Sequence, residues 1–219
     1  MIKGSVFALT TAGMMAFTGA AAADDDKWYA TLYGGPSFLG GQSFTLDSPN
    51  GAFDGTGDYS TGWGAGVGIG YRVSDRFSTE FAWMYTRNSN KNTGFTNGDS
   101  FSGGDFASNL FFLNGYYHFE TDGRFKPYVG AGLGYAEEID MDIQDSATAA
   151  NTAFSDSGKF GFQLIAGAEV PLSDNWALTG DVRYIRFSGL DMAGADGVST
   201  LNNVTYDPVT VTAGLRFKF

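Results

Sequence analysis

The chain has 219 residues, 32 of them glycine, with 16 % aromatic content and a formal charge of −11. It has no cysteine, which excludes disulfides, thiolate metal sites and a cysteine nucleophile. The acidic balance excludes nucleic acid as a partner, because that needs a basic footprint.

The first 23 residues read as a signal peptide. Lys3 supplies the positive start, residues 4–23 are uncharged, and the stretch closes in "AAAA" before "DDDK". Ala21-Ala22-Ala23 fits a small-x-small cleavage pattern and leaves 24–219 as one domain. Beyond it no run of 18 apolar residues occurs, so the mature chain has no transmembrane helix. It is either soluble outside the cytoplasm or crosses a membrane as strands.

Alternation of apolar and polar residues predicts eight strands, at about 28–38, 61–73, 76–87, 105–120, 125–137, 158–171, 175–187 and 208–219. The connections alternate in length. Short turns fall at 74–76, 121–124 and 173–175, and long loops at 39–60, 88–104, 138–157 and 188–207. All long loops then lie at one end of an up-and-down sheet, the asymmetry of bacterial outer-membrane barrels.

Sorting strands by parity gives one apolar and one mixed face. In the second strand, "GWGAGVGIGY", glycine holds every second position from Gly62 to Gly70. In the fourth, Phe111, Leu113, Tyr117 and Phe119 are assigned to the apolar face. Three features turn that face outward, toward lipid. The glycines lie on the mixed face, where a crowded lumen needs room for larger neighbours. Aromatic residues mark both ends of the apolar face: Trp28, Tyr71, Phe77, Phe125 and Trp176 at the turn end, Trp63, Tyr85, Tyr135 and Tyr184 at the loop end. The strand charges Arg72, Glu80, Lys126, Glu169, Asp181, Arg183 and Arg216 all fall on the mixed face, where opposite signs can pair. The expected fold is all-β: an eight-stranded antiparallel up-and-down transmembrane β-barrel.

The C-terminal "TVTAGLRFKF" resembles an outer-membrane assembly signal through Thr212, Gly214, Phe217 and Phe219. "LNGYYHFETDGRFKPYVGAGLGYA" and "LIAGAEVPLSDNWALTGDVRYIRF" are similar to the opacity-protein and small outer-membrane β-barrel superfamily of Gram-negative bacteria. The resemblance covers the strands and none of the long loops. It implies outer-membrane location, lipid and lipopolysaccharide as surroundings, and recognition by the barrel assembly machinery. It implies no single activity.

Individual residues narrow the function. His118 lies near the turn end, away from the outer leaflet where hydrolytic sites of such barrels usually sit, so it reads as a hydrogen-bonded rim residue and the protein as no enzyme. "EEIDMDIQD" gathers Glu137, Glu138, Asp140, Asp142 and Asp145 at the start of the third long loop. Hard cations take such ligands, but the EF-hand spacing is absent and solvated loop charge is the expectation, with no cofactor. The inward charges, with bulky Met84, Tyr128 and Ile165, read as a plug. Phe44, Phe53, Phe95 and Phe101 interrupt polar loops, either to contact a host or environmental ligand or to pack on one another. The expected role is structural or surface-interacting through four external loops, with a narrow pore for small or hydrophobic solutes, released sideways into the bilayer, as the alternative.

Overall fold

A computed structural model describes residues 27–144 and 151–219. The signal-peptide assignment at 1–23 and the candidate ligand Asp145 lie outside the described residues. The described strands are, in chain order, β1 Trp28–Phe38, β2 Gln42–Ser48, β3 Gly51–Tyr59, β4 Gly62–Arg72, β5 Phe77–Phe95, β6 Ser100–Phe101, β7 Asp105–His118, β8 Lys126–Gln144, β9 Asn151–Asp156, β10 Lys159–Pro171, β11 Trp176–Gly194, β12 Thr200–Tyr206 and β13 Val209–Lys218. Eight of them form an up-and-down barrel. β1 pairs antiparallel with both β4 and β13, and the ring runs on through β5, β7, β8, β10 and β11 back to β13. The expected eight-stranded barrel is therefore what the chain forms.

Two tight turns share one chemistry. Phe77 N–H donates to Ser74 Oγ, and Trp176 N–H to Ser173 Oγ, each at 3.2 Å. The carbonyls of Phe77 and Trp176 accept from Val73 and Leu172 across the same turns. A Ser-Asp-x sequence thus replaces the glycine turn usual in hairpins, with the side chain supplying the bond that holds the reversal.

Apolar side chains face outward around the ring, as parity predicts. Leu32, Leu133 and Phe160 are 62 %, 73 % and 78 % exposed, whereas Glu80, Glu169, Arg183 and Arg216 are 1–2 % exposed. Phe111, Leu113, Tyr117 and Phe119 project outward, and Leu110 and Phe112 inward. The aromatic ends form cross-strand pairs on the outer surface. Trp28–Tyr71, Phe77–Tyr117 and Trp176–Phe217 lie at the turn end with centroids 4.7–5.2 Å apart. Trp63–Tyr85, Tyr135–Phe160 and Phe162–Tyr184 lie at the other, 5.3–6.2 Å apart.

The bare glycine face meets large inward rings. A Cβ on Gly66 would lie 2.6 Å from Tyr33 Cζ and 2.5 Å from the Trp83 carbonyl oxygen, and one on Gly134 2.7 Å from the Phe112 ring. Glycine there is the counterpart of Tyr33 and Phe112. Gly66→Ala is expected to cost about 1–3 kcal/mol through overpacking, read as a lower urea midpoint in lipid. An unchanged midpoint would show that the lumen is loosely packed.

The long loops are where the sequence reading needs correction. β2 and β3 form a hairpin within 39–60, β12 lies within 188–207, and β5, β8 and β11 continue to Phe95, Gln144 and Gly194. β3 pairs with β5, β8 with β9, β9 with β11, β11 with β12, and β12 with β2. The wall therefore continues past the barrel as an external sheet.

Each of the three long strands carries a bulge where it leaves the barrel. In β8, Asn109 pairs with Glu138 but Leu110 with Ala136, so Glu137 is extra. In β11, Ser188 and Gly189 intervene between Phe187 and Leu190, with Gly189 in the left-handed region at φ 67°. In β5, Lys91 is extra between Asn90 and Asn92. An extra residue shifts the parity by one. Above Glu137 the inward row passes from even to odd numbers, and Ile139, Met141 and Ile143 are buried while Glu138, Asp140 and Asp142 face out. The external sheet thus has the polarity of a soluble protein: Phe44, Phe154, Leu190, Met192, Leu201, Val204 and Tyr206 form its core. Of the loop phenylalanines, Phe95 meets Phe44 and Phe101 edge to face, each at 6.0 Å, so these three pack together; Phe53 is half-buried.

Candidate functional site: a two-layered lumen

The turn half of the lumen is polar. Glu169 on β10 accepts from Arg216 Nη1 at 2.5 Å and Lys218 Nζ at 3.0 Å, with Arg72 Nη2 at 4.0 Å. Arg216 also donates through Nε to Thr31 Oγ1 at 3.3 Å and stacks its guanidinium over Tyr29 at 4.3 Å. Thr31 in turn donates to Glu80, which accepts from Tyr116 Oη at 2.9 Å. Asp181 is the second anchor. It accepts from Arg183 Nε at 2.7 Å and Nη2 at 3.1 Å, from Thr212 at 2.7 Å and from Tyr128 at 2.8 Å. Buried carboxylates with this many donors persist because each lone pair is engaged.

Of the predicted lumen charges, Arg72, Glu80, Glu169, Asp181, Arg183 and Arg216 come together across the floor. Lys126 stands at the exposed turn-end rim, opposite Glu169 in register and outside that network. Met84, Tyr128 and Ile165 are buried inside the barrel. His118 Nε2 lies 2.8 Å from Ser78 Oγ, and both are buried. Among the described residues no carboxylate hydrogen-bonds its ring, so the orienting acid of a Ser–His–Asp arrangement is missing.

The external half carries a large apolar cluster beside buried, hydrogen-bonded polar side chains, Ser37 with Asn88 and Ser108 with Thr86 and Tyr206. Met84, Phe106, Leu110, Phe112, Ile185 and Phe187 carry the inner surface upward into the core of the external sheet. Sequence reasoning missed this continuity because its upper half lies in segments taken as loops. At the tip a recess of about 240 Å³ opens between Leu46, Phe95, Phe101, Ile143, Phe154 and Ser199.

The acidic row lies on the outside of this region. Asp140 has its carboxyl pushed up to about 7, first by burial and then by repulsion from Glu138, Asp142 and Asp105. Among the described residues no group of three or more metal-ligating side chains converges there. The proton is held more tightly by the folded sheet than by the unfolded chain. Below about pH 4 Asp140 is protonated in both and has no effect; as pH rises from about 4 to about 7 its ionisation increasingly disfavours the fold. Asp140→Asn is therefore expected to slow hydrogen exchange of the external sheet at pH 8 and leave it unchanged at pH 4. Equal effects at both values would exclude this origin.

The family model described as outer membrane protein beta-barrel domain matches residues 7–219. The chain belongs to this family. This outer-membrane barrel is similar to outer membrane protein W of Vibrio cholerae, 29 % identical over 167 residues, covering 69 % of this chain and 72 % of the relative. Among solved structures it is similar to OprG of Pseudomonas aeruginosa, with a TM-score of 0.56 and 18 % identity over 88 % of this chain and 96 % of that one. It is also similar to AlkL in lipid bilayers, with a TM-score of 0.51 and 23 % identity over 92 % and 95 %. The barrel resides in the outer membrane of a Gram-negative bacterium.

Proposed function

We propose that this barrel admits small apolar molecules at its external tip and releases them sideways into the membrane. One observation carries the reading: a contiguous apolar cluster runs from beneath the external recess down to a floor of buried ion pairs. Such a lumen favours apolar guests and offers no aqueous path to the periplasm. The β1–β13 pairing skips Gly35 and Pro36, between Gly34↔Ala213 and Ser37↔Thr210. The strands stay in register and Gly35 lies against the Val211 carbonyl, but proline has no N–H to bond across the seam, so this is a weak stretch of the ladder at which to part it. The test is transfer of an apolar fluorophore into vesicles carrying the barrel. Cross-linking the seam through Gly34→Cys with Ala213→Cys is expected to stop transfer until a reductant is added, with no ion conductance in either state. Transfer unaffected by the cross-link, or stable ion-conducting openings, would overturn the proposal.

A surface-interaction role has its own support in the outward polar face of the external sheet, with Glu138, Asp140, Asp142 and Asp191. Loss of adhesion to cells or matrix on removing the β2–β3 hairpin would favour it. For biogenesis, Thr212, Gly214, Phe217 and Phe219 form the element read by the assembly machinery. Phe217 packs on Trp176, and the Phe219 N–H closes on the Trp28 carbonyl at 2.9 Å.

A further inference from the structure

Along β11 the inward side chains change from charged to apolar. The inward row of β11 runs Thr179, Asp181, Arg183 and then Ile185 and Phe187. Thr210 is the register partner of Arg183, Gln163 and Asn114 flank Gly132 in register with Ile185, and the Tyr33 ring lies against the Arg183 guanidinium. All five are buried, and each has a polar atom without a hydrogen-bond partner: Tyr33 Oη, Arg183 Nη1, Thr210 Oγ1, Asn114 Nδ2 and Gln163 Oε1. Gln163 Nε2 donates to Asn114 Oδ1 at 2.5 Å. Exchanging both amides leaves one donor and one acceptor unengaged as before, so the ring does not depend on amide orientation. Buried polar atoms are nearly always satisfied. Five such atoms between the ion pairs of the floor and the apolar side chains of Met84 and Ile185 mark a place built to receive a polar atom from above, and the two others among the described residues, on Asn90 and Thr93, lie in the external sheet.

The chemistry of that atom follows from what faces it. Arg183 is 2 % exposed and uses Nε and Nη2 on Asp181, leaving the Nη1 hydrogens. Its guanidinium lies 3.9 Å over the Tyr33 ring, with the Tyr33 hydroxyl beside it. Both groups are donors, so an oxygen acceptor suits them and a hydrocarbon leaves them unused. Asp181 already balances the guanidinium, and Glu80 also acts on Tyr33. A carboxylate would therefore compete with Asp181 for a guanidinium that is already paired.

We infer that this ring is a head-group site for an uncharged apolar molecule bearing one carbonyl oxygen, such as a ketone, aldehyde or ester. The oxygen accepts from Arg183 Nη1 and Tyr33 Oη, and the tail extends upward past Met84 and Ile185. This rests on the uptake reading above and names its substrate class.

The test uses the refolded barrel in lipid nanodiscs, with methyl NMR of Met84 and Ile185. 2-Decanone, decane and decanoate are added at equal mole fraction in the bilayer. The ketone is expected to saturate about tenfold more tightly than the alkane, the effect of one hydrogen bond to a charged donor. Decanoate is expected to bind more weakly than the ketone. The ketone-over-alkane preference should collapse in Arg183→Lys, which keeps the charge beside Asp181, and fall in Tyr33→Phe. Tyr33→Phe removes a single oxygen and keeps the test decisive if Arg183→Lys does not fold. An unchanged preference in Tyr33→Phe and in folded Arg183→Lys would mean that water alone fills the ring, and tighter decanoate binding would mean a charged head; either overturns the inference. If the alkane binds and the ketone has no advantage, the inference fails while uptake stands. If no guest shifts Met84, uptake itself fails.

Discussion

Ile139→Asp is expected to abolish the external sheet, while deletion of Glu137, two residues earlier, leaves it standing. Ile139 has no exposure and lies within the apolar core that β8 shares with its neighbours. Among the described residues that core is apolar, so a carboxylate there is unpaired, and an unpaired buried charge costs several kcal/mol. A sheet this small cannot absorb that. Glu137 is the extra residue of the bulge. Its removal lets Ala136, Glu138 and Ile139 follow one another as regular strand, with Ile139 still inward. The readout is protease treatment of vesicles with the external end exposed, alongside heat-modifiable mobility as the sign of an intact barrel. Ile139→Asp should expose the 39–60 and 188–207 segments to cleavage without unfolding the barrel. If these segments are loops, Ile139→Asp will be silent, and that result would refute the inverted polarity of this region.

Removing the Glu169 carboxylate should have the largest effect within the barrel. Glu169→Ala leaves Arg216, 2 % exposed, facing Lys218 and Arg72 without the anion they share. Breaking one side of a buried pair costs about 3–5 kcal/mol, because the remaining charge stays desolvated. Glu169→Ala combined with Arg216→Met should recover much of the loss, since two buried charges are then gone together. Urea unfolding in lipid measures the cycle. A Glu169→Ala barrel as stable as the parent would mean that water reaches the floor and screens it, and the floor would then not seal the lumen.

The membrane part was legible because lipid imposes a strict rule. Any outward polar residue is costly, so alternation persists over whole strands and parity alone separates Leu133 from Gly132 and Gly134. Charges such as Arg216 and Asp181 could be assigned inward for the same reason. Their partners could not: Arg216 meets Glu169 and Thr31 across the lumen, at a register fixed by how far the sheet shears on closing. The external sheet escaped because Glu137, Lys91 and Gly189 each break the alternation once, and because its outward residues are those of a loop. Ile139, Met141 and Ile143 alternate with acids in "EIDMDIQ", a strand signal that the acids obscured. The boundary ring was invisible for a different reason. Thr210, Asn114 and Gln163 are unremarkable on a mixed face, and only the paired geometry shows which of their atoms are left over.

The upward continuation of the wall also limits where this molecule can change. Outside the membrane a recognising surface, an antibody or a phage fibre, meets laddered backbone nearly everywhere. Among the described residues the free reversals are brief: 49–50 between β2 and β3, 96–99 after β5, and 195–199 after β11. Among the described residues, sequence drift that alters the antigenic face while sparing the fold is thus channelled into these three tips and into every second position of the strands beneath them.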